Sequence, residues 1–102
     1  MTSKDSQSAI PTSIAGTFSD YSEDLYRHFF EVSDDSGIAK SVLLKYLGNQ
    51  RSVLLYGVEN GYELDIPIQC APELVRLLTR DNIAVYQVVR LSKSEGQWRS
   101  RP

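Results

Sequence analysis

Only one pair of side chains in this sequence has the types needed for a nucleophile and base of the cysteine-protease type, the single cysteine Cys70 and the single histidine His28. Such a pair works only when the histidine lies within hydrogen-bonding reach of the thiol. The sequence places His28 in the middle of a predicted strand and Cys70 in the loop before a predicted helix. We therefore expect His28 to be a partly buried strand residue and Cys70 to be a small apolar filler, with no catalytic role.

Two pairs of carboxylates have the spacing to bind a cation or to share a proton. Asp34 and Asp35 lie where a loop meets the start of a predicted helix, and Glu63 and Asp65 lie two residues apart on a predicted strand. Helix capping accounts for the first pair and a solvated sheet face accounts for the second. The sequence therefore predicts no metal site and no cofactor.

The charge balance does not favour a nucleic-acid partner. The chain has 11 Lys and Arg against 13 Asp and Glu, which gives a formal net charge of -2. A phosphate backbone is bound by an excess of positive charge, so a nucleic-acid site would need the arginines to cluster in space. The arginines in question are Arg27, Arg51, Arg90, Arg99 and Arg101.

The cysteine count and the hydropathy of the chain indicate the cellular compartment in which it is expected. A single cysteine allows no disulfide within the chain, which is consistent with a reducing environment. No apolar run approaches the roughly 20 residues of a membrane span, and residues 1–17 lack the basic start and apolar centre of a secretory signal. The expected location is the cytoplasm, with no membrane partner.

Composition divides the chain into three parts. Residues 1–22 are rich in Ser, Thr, Asp, Gly and Pro without a lasting hydrophobic period, so they are predicted to form a disordered N-terminal arm. Residues 93–102 contain no run of core residues and are predicted to be a flexible tail. Residues 23–92 carry the periodic patterns of one small folded domain.

Hydrophobic periodicity predicts six elements within this domain. The first segment favours a strand, although Ser22, Glu23 and Asp24 could also begin a helix there. The Asn60-Gly61 pair predicts a tight hairpin turn, because both residue types accept positive φ angles. Strands are predicted over Leu25–Val32, Ser52–Val58, Tyr62–Ile68 and Ile83–Leu91, and helices over Ser36–Leu47 and from Pro72 to the stop at Asp81-Asn82.

The resulting order β-α-β-β-α-β predicts an α+β fold of the ferredoxin-like type, a four-stranded antiparallel sheet with two helices on one face. The other face is left open, and the alternation of the third strand turns Glu63 and Asp65 towards it. We expect a homodimer through the sheet, either by edge strands or across this open face; a monomer kept soluble by the same residues is the alternative. The predicted interface residues are Arg27, Phe29, Glu63, Asp65, Tyr86 and Arg90.

The segment Asp34–Leu47 resembles the strand-to-helix corner of ACT domains, where an acidic residue, a glycine and an apolar helix follow the first strand. Residues 57–68 with residues 72–89 are similar in layout to the small ferredoxin-like regulatory segments at the C-terminus of some transporter ATPases. The resemblance covers about residues 25–91. It implies a regulatory module that pairs with a copy of itself and binds a small molecule at the pairing edge. The residues that map to the ligand loop are Asp34, Asp35, Ser36 and Gly37.

The sequence thus favours a non-catalytic regulatory or protein-interaction module whose partner is another protein or a second copy. Two alternatives remain at this stage. One is a small enzyme that uses carboxylates of the open sheet face, because fold alone does not decide function. The other is a nucleic-acid-binding domain with clustered arginines.

Overall fold

The computed structural model describes residues 13–98 and shows the predicted α+β architecture. The four strands form one antiparallel sheet in the order β2-β3-β1-β4, which is the ferredoxin-like order. The segment that could begin either as a helix or as a strand is a strand. The elements are β1 (Asp24–Val32), α1 (Ile38–Leu47), β2 (Leu55–Val58), β3 (Gly61–Ile66), α2 (Cys70–Arg80) and β4 (Val85–Gln97), with a 3-10 turn at Ser52–Leu54.

Both helices pack on the same face of the sheet, which we call the inner face. Alternate residues of β1 and β3 point towards the helices because successive side chains of a strand lie on opposite faces. The helices contribute their buried stripes at three- and four-residue spacing. The fully packed core consists of Phe30, Val32, Ala39, Leu43, Leu47, Leu64, Ile66, Leu74 and Leu78.

The start of α1 differs from the predicted cap. Gly37 takes the N-cap position in the left-handed region, with φ at 83°. The capping oxygens come from Asp34, whose carboxylate accepts hydrogen bonds from the backbone N–H groups of Ala39 and Lys40 at 2.9 and 3.0 Å. Helix capping was predicted for Asp34 and Asp35 together, and both capping oxygens belong to Asp34. Asp34 lies three residues before Gly37, so a carboxylate of the preceding loop, and not one at the N-cap position, binds the first turn of the helix.

The β2–β3 hairpin turns as predicted, but its two key residues have different roles. Asn60 has φ at 69°, the positive angle that the turn requires. Gly61 is already the first residue of β3, and a Cβ atom there would lie 2.0 Å from the carbonyl oxygen of Phe30. Gly61 is therefore required by the close approach of β1, not by the turn.

Residues 13–22 form hydrogen-bonded turns and differ here from the predicted disordered arm; residues 1–12 lie outside the described part. We call residues 13–22 the strap. Its centre is the buried carboxylate of Asp20, which accepts hydrogen bonds from the backbone N–H groups of Gly16 and Ser22 at 2.7 and 2.9 Å. Gly16 lies directly against Tyr26 and Arg90. The strap therefore covers the part of the inner face that the helices leave uncovered.

The predicted flexible tail also differs over its described part. β4 continues to Gln97, and the backbone N–H of Trp98 donates to the carbonyl oxygen of Glu23 at 2.8 Å. The Trp98 ring packs against the core and receives the Arg51 guanidinium at 4.0 Å from its centroid. This stretch has no hydrophobic period because individual contacts hold it, among them the packing of Trp98 and the hydrogen bond from Ser94 to Asp65. Residues 99–102 lie outside the described part.

Candidate functional site

The open face of the sheet carries four of the six predicted interface residues, in two neighbouring cross-strand rows. Tyr56 on β2 is opposite Glu63 on β3, Glu63 is opposite Phe29 on β1, and Phe29 is opposite Val89 on β4. The neighbouring row pairs Arg27 with Asp65. No helix within residues 13–98 covers this face, so charged and apolar side chains alternate on a surface that these residues leave open to contact.

Arg27 is the centre of this surface and is held on three sides. Its Nε donates to Asp65 Oδ1 at 2.8 Å, and one terminal nitrogen donates to Glu63 Oε1 at 3.3 Å. The guanidinium carbon lies 4.3 Å from the centroid of the Tyr56 ring, a cation–π contact. Ser94 Oγ donates to Asp65 Oδ1 at 2.6 Å. We call Arg27, Tyr56, Glu63, Asp65 and Ser94 the open-face cluster.

The electrostatics of the cluster fix the charge states of its members. The hydrogen bond to Asp65 is the main cause that raises the pKa of Arg27; burial opposes it, and Glu63 adds to it. Asp65 is only 5% exposed and Arg27 is about one-third exposed, so the pair is partly shielded from water. The cluster therefore holds the charged Arg27 guanidinium in a fixed position between Asp65 and Glu63.

Two of the predicted interface residues lie elsewhere. Arg90 is opposite His28 on the inner face, with its guanidinium 5.6 Å from the centroid of the Tyr26 ring. Tyr86 lies at the end of the sheet and is 66% exposed. The cause is an irregular pairing of β1 with β4, whose register shifts between Glu31 and Val32 and reverses the expected alternation. Arg27, Phe29, Glu63 and Asp65 share the open face as predicted.

The predicted ligand loop is divided between two surfaces. Asp34 and Asp35 line an open cleft of about 490 Å³ at the end of the sheet, together with Glu31, Tyr62 and Tyr86. We call it the loop cleft. Ser36 and Gly37 lie outside this cleft, beside Ile38 and Val42 on the helix side. The four residues therefore do not form one site.

Asp34 is used by the fold itself. Besides capping α1, its carboxylate accepts a hydrogen bond from Tyr62 Oη at 2.6 Å. Burial acts to raise the pKa of Asp34, but the hydrogen bonds from Tyr62 and from the helix N–H groups outweigh it and lower the pKa overall. Burial and the same contact raise the pKa of Tyr62 to about 12. These bonds occupy the carboxylate that the ACT-like reading assigns to a ligand.

His28 and Cys70 have separate structural contacts. The His28 ring is buried, and its Nδ1 donates to the carbonyl oxygen of Tyr26 at 2.9 Å. Burial raises the pKa of the Cys70 thiol, and a hydrogen bond with Tyr46 only partly opposes this. A thiol of this kind is a poor nucleophile. Within residues 13–98, no group of three or more His, Cys, Asp or Glu side chains is placed to hold a metal ion.

The buried imidazole predicts a pH dependence of stability. Burial lowers the pKa of His28; Arg90 lowers it further, while the Tyr26 carbonyl and Asp65 act against the shift. The unfolded chain therefore takes up a proton below pH about 6.5 that the folded chain excludes. The contribution of His28 to stability should be constant above this pH and should fall towards pH about 5 with a slope of at most about 1.4 kcal/mol per pH unit.

Urea denaturation of the wild type and His28→Gln at pH about 7.5 and about 5.5 measures this slope. The free energy of unfolding of His28→Gln should be the same at the two pH values. Asp20 and Asp34 do not interfere, because their pKa values are lowered and their contribution is lost only below pH about 4. An equal pH dependence in both proteins would contradict the assignment.

The described arginines named for nucleic-acid binding have different partners. Arg27 is bound by carboxylates on the open face, Arg90 stacks on Tyr26 on the inner face, and Arg51 donates to the carbonyl oxygen of Trp98 at 3.1 Å. Arg99 and Arg101 lie outside the described residues. Arg27, Arg51 and Arg90 therefore do not form one basic stripe.

Tyr56 and Ser94 belong to the open-face cluster, and sequence reasoning missed both. The alternation of β2 opposite Glu63 was a usable signal for Tyr56, because the hairpin turn fixes the register of the two strands. Ser94 gave no signal, since it lies in the stretch predicted as tail.

Comparison with protein-family models, curated proteins and solved structures returns no match to this chain. No helix within residues 13–98 has the length and hydropathy to span a bilayer. The open face and the loop cleft are therefore the surfaces on which a proposed function rests.

Proposed function

We propose that this chain is a non-catalytic protein-interaction module of the regulatory type, which pairs with a second copy of itself across the open sheet face. The observation that carries the proposal is the fixed position of Arg27 on an uncovered surface. Asp65, Glu63 and Tyr56 hold it from three sides. We further propose that the module acts in the cytoplasm, as the cysteine usage suggests.

Preorganisation supports a role in binding. A long side chain that becomes ordered on association costs about 0.5–1.5 kcal/mol, and Arg27 has lost this freedom in the monomer. Arginine and tyrosine are also the residue types that most often anchor protein interfaces. The apolar area beside the cluster comes from Phe29 and Val89, with Leu91 and Val58 towards the margins.

The face is self-complementary about a two-fold axis. An axis parallel to the strands and midway between β1 and β3 places each Arg27 over the Asp65 of the other copy. The same axis places Tyr56 over Val89, because β2 and β4 lie at equal distances from it in the sheet order. An isologous contact of this kind is the commonest way in which identical chains pair.

The face is a better candidate than the edge strands. The pairing of β4 with β1 has three register shifts, and the strand carries Arg90, Lys93 and Glu95. Irregular pairing and charged residues both oppose further strand addition. The other edge strand, β2, has only four residues.

The net charge of the open face limits the strength of the proposed dimer. Each face carries Arg27 against the carboxylates of Glu31, Glu63 and Asp65, so the excess is negative. Two such faces attract through Arg27 and repel through the excess carboxylates. We therefore expect a modest, salt-sensitive association.

Sedimentation velocity of the wild type at protein concentrations up to about 0.5 mM should show a monomer–dimer equilibrium, in the range expected for a modest contact. Tyr56→Glu with Val89→Glu adds two repelling charges to each face and should raise the dissociation constant at least about tenfold. Val53→Glu is the matched control, because Val53 is 66% exposed on the 3-10 turn and outside the open face. A wild type that stays monomeric throughout, or a dimer unaffected by the double substitution, would overturn the proposal.

A further inference from the structure

The turn between β2 and β3 contains an asparagine followed directly by a glycine, Asn60-Gly61. The backbone nitrogen of the residue after an asparagine can attack the Cγ atom of the asparagine side chain. Glycine hinders this attack less than any other residue, because it has no Cβ atom. Asn-Gly is therefore the dipeptide in which an asparagine amide is lost most readily in water.

The fold restricts both positions of this pair. Asn60 has φ at 69°, in the left-handed region that glycine, asparagine and aspartate adopt most readily. Gly61 has no room for a side chain, because a Cβ atom there would lie 2.0 Å from the carbonyl oxygen of Phe30. A residue that would slow the attack therefore cannot take the place of Gly61 without disturbing the pairing of β1 with β3.

The surroundings of Asn60 give the reaction access to water and to backbone motion. The Asn60 side chain is exposed and lines the loop cleft. β2 has four residues, three of them exposed, and pairs with β3 alone. A segment with few buried contacts opens locally at a lower free-energy cost than the whole domain. Such an opening lets the Gly61 nitrogen turn towards the Asn60 Cγ atom.

We propose that Asn60 is a modification site of the folded chain, at which the side-chain amide is converted to a carboxylate without an enzyme. The Gly61 nitrogen forms a bond to Asn60 Cγ, the bond from Cγ to the side-chain nitrogen breaks, and ammonia leaves with the proton of the Gly61 nitrogen. Water then opens the resulting succinimide. Cleavage between the Gly61 nitrogen and Cγ gives aspartate, and cleavage between that nitrogen and the α-carbonyl carbon gives isoaspartate.

The two products should affect the hairpin differently. Aspartate keeps the length of the main chain and tolerates a positive φ angle, so the hairpin should stay in place. Isoaspartate adds a methylene group to the main chain and turns the α-carbonyl group of residue 60 into a free carboxylate. In the unmodified chain this carbonyl oxygen accepts a hydrogen bond from the backbone N–H of Val32 at 3.1 Å. The isoaspartyl form should therefore lose the pairing of Gly61 with Val58 and Glu31.

Both products also change the charge of the loop cleft. Each adds a carboxylate to a surface that already carries Glu31, Asp34 and Asp35. The modified chains are therefore more acidic than the unmodified chain, and ion-exchange chromatography separates them from it.

Storage of the full-length wild type in warm, mildly alkaline buffer tests the proposal, because base removes the proton of the attacking nitrogen. Peptide mapping with electron-transfer fragmentation distinguishes asparagine, aspartate and isoaspartate at each position. Asn82 is the internal control, since it is also exposed and has φ at 64° but precedes the β-branched Ile83. The products should form at Asn60 at least about tenfold faster than at Asn82, which corresponds to a barrier lower by at least about 1.4 kcal/mol.

Two variants separate the reaction from its consequences. Asn60→Gly keeps the positive φ angle and removes the amide, so the acidic species should no longer appear. Asn60→Asp carries the new charge without the longer main chain. Its ¹⁵N–¹H spectrum should keep the wild-type positions of Val32 and Val58, whereas the purified isoaspartyl form should shift both.

Equal rates at Asn60 and Asn82 would overturn the proposal, and so would an Asn60 that is converted only in denaturing urea. Acidic species that still form in Asn60→Gly would place the reaction elsewhere and overturn it too. An isoaspartyl form with unshifted Val32 and Val58 amides would contradict the expected change of the hairpin. None of these measurements depends on whether the open faces of two copies pair.

Discussion

Replacement of Gly61 by alanine should destabilise the fold by about 3 kcal/mol, at the upper end of the range for an overpacked site. A Cβ atom at Gly61 would lie 2.0 Å from the carbonyl oxygen of Phe30 and 3.0 Å from its carbonyl carbon. These atoms belong to the backbone of β1, which is paired on both sides. They cannot move away unless the ladder between β1 and β3 opens. Since small domains are stable by only about 5–15 kcal/mol, the loss should be large in urea denaturation.

Gly57→Ala is the matched control, since Gly57 lies on the other strand of the same hairpin. A Cβ atom there would meet only Tyr62 Cε1, at 3.9 Å. The control should change stability by less than about 1 kcal/mol, because it removes backbone freedom from the unfolded chain without a clash. Equal losses of stability in Gly61→Ala and Gly57→Ala would contradict the close approach of β1 to β3 at Gly61.

Leu78→Ala should cost about 2–5 kcal/mol of unfolding free energy. Leu78 is fully buried between the sheet and α1, so its removal leaves a cavity that the surrounding core cannot fill. Leu77 is the matched position one residue earlier, where the side chain is only half-buried. Leu77→Ala should cost about 1 kcal/mol, in proportion to the smaller buried area.

Chemical denaturation of the two leucine variants tests which side of α2 faces the sheet. A loss for Leu77→Ala equal to or larger than that for Leu78→Ala would mean that α2 turns a different side towards the sheet.

Local patterns were enough to predict the elements that form the core. The alternation of Tyr62, Leu64 and Ile66 predicted which face of β3 is buried, and Leu64 and Ile66 are indeed buried. The stripe of α2 was found because leucines recur at helical spacing and Asn82, with φ at 64°, ends the helix as expected. Such features depend on neighbours in the sequence, which is why they were accessible.

The errors share a different physical origin. The bulged pairing of β4 puts Val88, not Val89, towards the core and turns Arg90 to the inner face. Pattern analysis assumes an unbroken alternation and cannot anticipate an extra residue in one strand. The strap and the end of β4 are held by individual tertiary contacts, such as the hydrogen bonds from Gln69 to the strap backbone and the packing of Trp98 on the core. Contacts of this kind leave no periodic signal in the sequence.

The candidate site was predicted only in part for the same reason. Glu63 and Asp65 were placed on the open face because the alternation of β3 is regular. Their contact with Arg27 depends on the register between β1 and β3, which local patterns do not contain. Asp34 was identified as a notable residue, but its fixed role as a cap follows from the path of the loop.

The most direct test of open-face pairing is an isotope-filtered NOE experiment on an equimolar mixture of ¹³C-labelled and unlabelled wild-type chains. It detects only protons of two different molecules that lie within about 5 Å, the range of direct side-chain contact. The proposed pair predicts intermolecular NOEs between the Tyr56 ring of one copy and the Val89 methyl groups of the other. A concentrated sample that shows no intermolecular NOEs from Tyr56, Phe29 or Val89 would contradict the proposed function.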